Sequence, residues 1–495
     1  MLFSSPGFLF VFLPLCLLAF HLTLWKAGGT AAMGVSVLFS VFFYGWWNPP
    51  YLALLLGSIG GNFLFARRLS RVPSRFLLGL AIIFNLALLG YFKYRNFFLE
   101  NIGFAVGETW SFGTIFIPLG ISFFTFQQIA LLIDSNDGEV SHPPGVLDYT
   151  QFVIFFPQLI AGPIILFREL SDQLADLRAG KGAGLALFGP GLVVFLMGLF
   201  KKVCLADNIA PFADIVFSHA TELTMLEAWA GAVAYALQLY FDFSGYSDMA
   251  VGLGLLFGLC LPINFDTPFR AVSMIDFWKR WHMTMTRFFM MYLYAPVALS
   301  LNRFGLARFT SQTMLFPLTV AAPILLTFLV AGLWHGAGWT FILFGAVNGV
   351  GLVINHLWRE AKCPALPRWL NWALTMLTVL ISLVYFRAAS VADAHAILAT
   401  FFSPGALVLP NWLSWMSVPL GLPWATLVVF TTGVFTIKFI TWVAALGVLS
   451  LVMPNPAKDY DRLVPTPFLA VISAVLVWMV LGWLDEPRTF LYFQF

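Results

Sequence analysis

Two of the seven histidines, His282 and His335, have sequence neighbours that favour acid–base chemistry. Both lie within or beside long apolar runs, where an ionisable side chain is costly and usually functional. Neutral imidazole, with an ordinary pKa of about 6.5, can accept the proton of a hydroxyl group. These two are therefore the candidate catalytic bases. The other five are expected to be interfacial or solvated, because they end apolar runs or sit among polar and turn residues: His21, His142, His219, His356 and His395.

The neighbours of His335 predict a break between two helices. The apolar pattern around it is too long for one membrane span at about 1.5 Å per residue, and Gly336 and Gly338 supply the break. Trp334 and Trp339 could wall a pocket beside the imidazole. The backbone N–H groups next to the glycines could contact a developing oxyanion. The alternative is a histidine at the tip of a helical hairpin, held by interfacial tryptophans.

His282 lies in a stretch, 276–284, that combines aromatic and basic residues. If this stretch is helical, Trp278 and Lys279 precede His282 by four and three residues and share its face. A cation there would lower the imidazole pKa and favour the neutral base. Arg280 is a second candidate donor to an oxyanion. The alternative is an amphipathic interfacial helix without a catalytic role.

A third group of polar residues follows an apolar span: Asp242, Ser244, Tyr246 and Asp248. Six residues separate the two aspartates, so they would not share one face of an unbroken helix. We expect Gly245 to break the helix and bring them together. A metal site would need more ligands, and a glycosidase pair would need a deep soluble cleft. These residues are therefore expected to support the catalytic groups or to hydrogen-bond the substrate.

The elements that position these residues are transmembrane helices. The 495-residue chain is 60% apolar and only 10% charged, whereas a soluble domain is about 25% charged. A span needs about 20 apolar residues, and we expect ten to thirteen such helices in an all-α polytopic membrane protein. The runs lie at about 8–25, 31–47, 50–66, 76–92, 112–133, 186–203, 226–244, 313–334, 337–358, 370–387, 424–452 and 465–484.

Two segments between the runs are apolar but interrupted. Residues 155–163 contain two prolines and a glycine, which predicts a re-entrant or broken helix buried in protein or lining a cavity. Residues 262–296 carry seven ionisable side chains among aromatics. That segment cannot face lipid, so we expect it at an interface or along a polar funnel.

Composition also excludes several classes of protein and site. The net charge of +3 and the lack of a basic block with interleaved aromatics exclude a nucleic-acid partner. The four cysteines are scattered without CxxC spacing, which predicts neither a disulfide framework nor a zinc site, and no bound metal or cofactor is expected.

The candidate residues together match the needs of acyl transfer to a hydroxyl group. That reaction requires a base, a polar path for donor and acceptor, and donors for the oxyanion. Neither a serine elbow nor a Cys/His pair is present, so transfer without a covalent enzyme intermediate is the simpler mechanism. A proton-coupled transporter or flippase with intramembrane histidines and aspartates is the alternative from another class.

Four ordered stretches resemble the membrane-bound O-acyltransferase (MBOAT) family, and most closely its bacterial alginate O-acetyltransferase branch. They are 117–127, 156–164, 240–252, and 276–284 followed by 332–341. The resemblance implies a helical bundle whose re-entrant and interfacial helices form a transmembrane tunnel. It identifies His335 as the essential histidine and His282 as the second active-site histidine. It also implies a catalytic core at 111–360, between N-terminal helices at 1–110 and C-terminal helices at 361–495.

The resemblance implies partners as well. Acetyl-CoA is the expected acyl donor, reached from the cytoplasm, and the acceptor is an extracytoplasmic exopolysaccharide such as alginate. A periplasmic SGNH-type acetyltransferase is the expected partner that receives the acyl group. The protein itself is expected to be a multi-pass protein embedded in the lipid of the bacterial inner membrane. Cell-wall acceptors are the alternative, either by peptidoglycan O-acetylation or by D-alanyl transfer to teichoic acid.

The chain also departs from the family pattern. Gly338 stands where members commonly carry Asn, and Asn348 stands where they carry His. Residues 135–138 replace a Tyr-Arg-Gly stretch. These departures do not change the prediction of acyl transfer, but they leave open whether alginate is the acceptor.

Overall fold

A computed structural model gives the fold. It describes residues 2–110, 113, 115–140, 143–181, 184–308, 315–403, 436–463, 466–484, 488, 490 and 491. His142 and the first part of the apolar run predicted at 424–452 lie outside these residues. Within the described residues the chain is helical and contains no β-strand.

The described helices are numbered here in chain order. They are α1 (Phe8–Ala27), α2 (Gly29–Trp47), α3 (Pro49–Leu69), α4 (Arg75–Val106), α5 (Ile121–Asn136), α6 (Val146–Ile154), α7 (Phe156–Leu159), α8 (Phe167–Arg178), α9 (Phe188–Ser218), α10 (Met225–Leu256), α11 (Met274–Trp278), α12 (Met283–Phe289), α13 (Ala295–Leu306), α14 (Pro317–His335), α15 (Trp339–Glu360), α16 (Arg368–Arg387), α17 (Val391–Thr400), α18 (Ile437–Val452) and α19 (Pro467–Leu481).

Within the described residues, eight helices are long and apolar enough to cross a membrane: α1 to α4, α9 and α14 to α16. Three shorter apolar helices, α17 to α19, follow them. Large apolar side chains on these helices face outward, for example Leu18, Phe104 and Trp478. Such surfaces suit lipid and not water. The prediction of a polytopic all-α membrane protein is therefore confirmed.

The ends of the early spans follow from local capping chemistry. The side chain of Asn48 accepts a hydrogen bond from the Tyr51 N–H, and Pro49 occupies the first helical position of α3. Ser74 caps α4 in the same way, by accepting from the Leu77 N–H. Each cap satisfies a backbone donor that the helix leaves open, so these residues fix where the spans begin.

The interrupted segment at 155–163 is a broken helix, as predicted. Helix α6 ends at Ile154, and the four-residue α7 follows a non-helical Phe155. The N–H of Phe156 donates to the Ser40 hydroxyl of α2 at 3.1 Å. A neighbouring helix thus satisfies backbone that the break exposes, which makes non-helical structure tolerable inside a membrane protein.

Helix α10 corrects one prediction. It continues without a break through Gly245, so the glycine does not bring the aspartates together. A Cβ atom at Gly245 would lie 2.8 Å from the Gly198 carbonyl oxygen of α9, and one at Gly198 would lie 2.5 Å from the Gly245 oxygen. The expected helix break is therefore wrong, because these glycines allow α9 and α10 to pack backbone to backbone.

By its internal contacts the chain divides into two compact units. The first comprises Met1–Val203, Ser244–Asn264 and Asn455–Gln494, and the second comprises Cys204–Phe243, Phe265–Pro454 and Phe495. Both candidate histidines belong to the second unit. The division into parts ending at 110 and 360 stays a prediction.

Candidate functional site

The helical hairpin of α14 and α15 positions His335. Helix α14 ends at His335, the backbone is extended at Gly336 and Gly338, and α15 begins at Trp339. A Cβ atom at Gly336 would clash with the ring of Phe341. The break predicted from the glycines is confirmed. At position 336 a glycine is needed because a side chain would clash with Phe341, whereas the extended backbone would accept any residue.

Small residues bring the two arms of this hairpin together. A Cβ atom at Gly332 of α14 would clash with the Phe341 carbonyl of α15, and one at Gly345 would clash with the Phe328 carbonyl. Reciprocal glycines of this kind permit close helix contact within a membrane protein. The position of His335 therefore depends on glycines in both helices.

The imidazole of His335 lies in an aromatic cage. Its exposed fraction is 5%. The ring meets Phe344 edge to face at 5.6 Å and 88°, Phe386 at 5.1 Å and 75°, and Trp334 at 4.9 Å and 71°. Such distances between ring centroids are typical of packed aromatic rings. The cage fixes the orientation of the ring and keeps bulk water away from it.

His282 is fully buried and has an unusual backbone. Its φ and ψ are 46° and 51°, in the left-handed region, at the residue that precedes α12. Residues other than glycine adopt this conformation rarely, and it often marks functional sites. The ring packs edge to face on Phe243 at 4.8 Å. Burial lowers the pKa of the His282 imidazole, so the neutral form is favoured.

The imidazole rings of the two histidines lie close together. Their ring centroids are 6.3 Å apart, and the His282 ring is 6.0 Å from that of Trp334. The separation is too long for a direct hydrogen bond between the two rings, which would need about 3 Å between nitrogen atoms. The second unit thus places two imidazoles close to one another, with Trp334 packed against both.

The neighbours of His282 correct the helical prediction for 276–284. Helix α11 ends at Trp278, and turn residues separate it from α12. The side chain of Lys279 is exposed. Desolvation, and not an adjacent lysine, lowers the pKa of His282. The expected pairing of Lys279 with His282 on one helix face is therefore wrong, because the helix ends at Trp278 and His282 itself has a left-handed backbone.

Trp278 and Arg280 have partners within the second unit. The indole of Trp278 is buried and packs against Phe328 of α14 at 5.0 Å. The guanidinium of Arg280 donates to the Asp276 carboxylate at 2.8 Å and to the Asp266 carbonyl at 3.3 Å. Trp278 thus joins α11 to the helix that carries His335, whereas Arg280 braces its own loop.

The two tryptophans beside His335 differ in exposure. Trp334 is 2% exposed, whereas Trp339 is 57% exposed. Two of the glycine N–H groups already donate to backbone, from Gly336 to Gly332 at 3.4 Å and from Gly338 to Gly336 at 3.0 Å. Trp334 therefore encloses the histidines, and an oxyanion would compete with carbonyls for those two donors.

The polar residues of α10 divide between the units. Asp242 is 3% exposed and belongs to the second unit. Ser244, Tyr246 and Asp248 are buried in the first unit. Asp248 forms an ion pair with Lys201 at 2.6 Å. Asp242 is thus the one member of this group that shares a unit with the histidines.

Three phenylalanines of the histidine cage were not found from sequence: Phe243, Phe344 and Phe386. The chain contains 54 phenylalanines, so residue type carries little information. Of the three, only Phe386 has a neighbour that sets it apart in the sequence, because the charged Arg387 follows it directly at the end of a span.

The two departures from the family pattern occupy different surroundings. Asn348 is buried on α15, and its amide donates to the Phe344 carbonyl at 2.8 Å. A Cβ atom at Gly338 would meet Phe341 at 3.6 Å, an ordinary contact. Asn348 therefore bonds to the residue that packs on His335, while Gly338 has room for a side chain.

Known proteins resemble this chain over most of its length. The model of the MBOAT, membrane-bound O-acyltransferase family, matches residues 139–392. The peptidoglycan O-acetyltransferase of Helicobacter pylori is 39% identical over 430 residues, covering 80% of this chain and 79% of the relative. A probable alginate O-acetylase of Azotobacter vinelandii is 37% identical over 423 residues, covering 83% and 80%. A teichoic acid D-alanyltransferase of Streptococcus thermophilus is 28% identical over 251 residues, covering 49% and 58%.

The match to the family model includes both histidines, the α14–α15 hairpin and the broken segment at 155–163. The family model covers more than half of the chain, and two relatives exceed 30% identity over most of their length. The O-acyltransferase prediction is confirmed, and it replaces the transporter alternative. The chain belongs to the membrane-bound O-acyltransferase family and is a multi-pass membrane O-acyltransferase.

Proposed function

We propose that this protein moves acetyl groups from cytoplasmic acetyl-CoA toward hydroxyl groups of an extracytoplasmic polysaccharide, in the inner membrane of a bacterium. The neighbouring imidazoles of His282 and His335 carry the proposal, because they offer two buried nitrogen bases shielded from water. The relatives named as O-acetyltransferase and O-acetylase support acetyl as the group transferred.

His335 is the proposed general base. Its imidazole takes the proton of the attacking hydroxyl while the hydroxyl oxygen bonds to the acetyl carbonyl carbon. The carbon–sulfur bond then breaks, and the proton passes to the departing thiolate. The products are an acetyl ester and a thiol, so atoms and charges balance. A positioned base of this kind contributes about 10²–10⁴-fold to the rate.

His282 is the proposed companion on the opposite side of the reacting group. Because burial favours its neutral form, one ring nitrogen can donate a hydrogen bond and the other can accept one. It is thus suited to hold the hydroxyl or the carbonyl oxygen. Trp334, which touches both rings, limits the entry of water that would otherwise hydrolyse the thioester.

The route of the acetyl group extends the proposal beyond the histidines. Donor and acceptor approach from opposite membrane faces, so we propose a tunnel that meets at the histidine pair. A periplasmic SGNH-type acetyltransferase is the proposed recipient when the polymer cannot enter the membrane. The catalytic core at 111–360 contains both histidines and most of the residues matched by the family model.

The test replaces His335 with Ala and compares ester acetate on the exopolysaccharide and on peptidoglycan. His395, which is exposed, provides the matched control, since His395→Ala should leave acetylation unchanged. We expect His335→Ala to abolish acetate on one glycan at equal membrane abundance of protein. Undiminished acetate on both glycans contradicts the proposal.

The second candidate acceptor is peptidoglycan. A peptidoglycan O-acetyltransferase matches this chain at 39% identity over most of its length, whereas the D-alanyltransferase alignment covers 49% of the chain. If acetate disappears from peptidoglycan and stays on the exopolysaccharide, the cell-wall acceptor is correct. Loss of D-alanine from teichoic acid would instead favour teichoic acid as the acceptor.

A further inference from the structure

A groove in the first unit opens on the outer surface of the spans. Helices α1, α9 and α19 form its walls, and its volume is about 570 Å³. Its floor is buried, with Phe195, Leu199 and Val480 at most 3% exposed, whereas Phe10 and Leu18 on its rim are 61% and 58% exposed. Because α1 and α9 are membrane spans, the rim faces lipid. We call this feature the α1 groove.

The lining of the α1 groove is hydrocarbon except for one histidine. Among the described residues that line it, only His21 has a polar side chain. The Nε2–H of His21 already donates to the Leu256 carbonyl at 3.0 Å. An apolar cavity of this kind does not hold water, and a groove left empty forfeits dispersion contacts along its walls. The expected occupant is therefore a hydrocarbon.

The α1 groove has the length of one lipid chain. Its lining on α1 runs from Leu9 to His21, which is about 18 Å at 1.5 Å per residue. Half of a hydrocarbon core about 30 Å thick is about 15 Å, the depth that a chain from one leaflet fills. A helix from a second copy or from another protein would cross the whole core. The length therefore favours a single acyl chain.

A cation lies one helical turn beyond the His21 end of the groove. Trp25 follows His21 by four residues and shares its face of α1. The Lys26 ammonium lies 5.9 Å from the centroid of the Trp25 ring. Both side chains are exposed, and such residues at the end of a span are typical of the headgroup region. Among the described residues, no carboxylate forms an ion pair with Lys26. A phosphate group at this end would complement its charge.

We infer that the α1 groove binds one glycerophospholipid, with an acyl chain between α1, α9 and α19 and the phosphate beside Lys26. The bound chain completes the packing of three helices that leave a groove between them. The site lies in the first unit, whereas both histidines lie in the second. The inference therefore does not depend on the proposed acyl transfer.

The test is photolabelling of the full chain in phosphatidylglycerol vesicles. The probe is phosphatidylglycerol with a diazirine at the end of one acyl chain, and mass spectrometry identifies the labelled peptides. We expect label on α1 near Leu9 well above the label at Ile83 of α4. Ile83 is 63% exposed and lines neither this groove nor the one between α1 and α2. Equal label at the two positions would show only general contact with the bilayer and overturn the inference.

Two tryptophan substitutions on α1 form a matched pair. Leu17 lines the α1 groove, whereas Leu15 lines the apolar groove between α1 and α2, whose described lining has no charged side chain. Leu17→Trp should fill the α1 groove and lose most of the label near Leu9, and Leu15→Trp should keep it. Lys26→Gln should weaken lipid retention in detergent about fivefold, the effect of one lysine at a membrane surface. Lys438→Gln, which also removes an exposed cation, should leave retention unchanged.

The unfolding temperature of each variant shows whether it folds. Wild-type label in a folded Leu17→Trp overturns the inference, and so does a wild-type dimer that Leu17→Trp converts into a monomer, because a second copy would then occupy the groove. If Leu17→Trp does not fold, Lys26→Gln decides alone, since its side chain is exposed. Wild-type lipid retention in Lys26→Gln would overturn the placement of the phosphate, and the phospholipid site with it.

Discussion

The imidazoles of His282 and His335 lie with ring centroids 6.3 Å apart, although one precedes α12 and the other ends α14. Neither position is set by a regular helix alone. A left-handed residue turns His282 inward, and a glycine break ends the helix at His335. The pair is thus a product of two irregular turns within one unit.

Replacement of His282 is expected to stop transfer while keeping the fold, provided that the new residue tolerates a left-handed backbone. Asn adopts this conformation more readily than Ala. His282→Asn should therefore lower kcat about 10²–10⁴-fold, the usual contribution of an acid–base group, at a near wild-type unfolding temperature. His282→Ala should lose stability as well. Equal activity of His282→Asn and wild type would remove His282 from the mechanism.

The glycines after His335 should respond differently to a methyl group. A Cβ at Gly336 clashes with the Phe341 ring, whereas one at Gly338 makes only ordinary contacts. We expect Gly336→Ala to destabilise the protein by about 1–3 kcal/mol, as overpacking does, and to impair transfer. Gly338→Ala is its matched control and should behave as wild type. Thermal unfolding in detergent measures both, and equal tolerance would show that the hairpin packing is described wrongly.

The buried ion pair of Lys201 and Asp248 is expected to be structural. Its side chains are 5% and 8% exposed, so removing one partner leaves a buried charge. Lys201→Met should cost about 3–5 kcal/mol, and Lys201→Met with Asp248→Leu should recover much of that loss. Denaturation curves of the three proteins decide the point. A double variant that is stable but inactive would contradict a purely structural role for the pair.

Much of the fold was predictable because membrane spans depend on local composition. Eight described spans coincide with apolar runs, and the prolines and glycine at 155–163 do break the helix. At His335 the glycine pair signalled the break correctly. These features arise from the preferences of a few consecutive residues, which sequence displays directly.

The remaining features depend on packing between distant segments. Helical spacing predicts Lys279 beside His282, but α11 ends at Trp278 and the backbone at His282 is left-handed. Gly245 was expected to break α10, whereas it serves close contact with Gly198. A glycine that breaks a helix and a glycine that packs one are alike in sequence, so only the neighbouring helix distinguishes them.

The most direct measurement of the central claim is the rate at which purified protein releases thiol from acetyl-CoA in the presence of a glycan oligosaccharide. We predict that wild-type protein releases thiol with formation of an acetyl ester on the sugar. His335→Ala of equal unfolding temperature should be about 10²-fold slower or worse. If His335→Ala forms ester at the wild-type rate, the imidazole of His335 is not the base and the proposed mechanism is wrong.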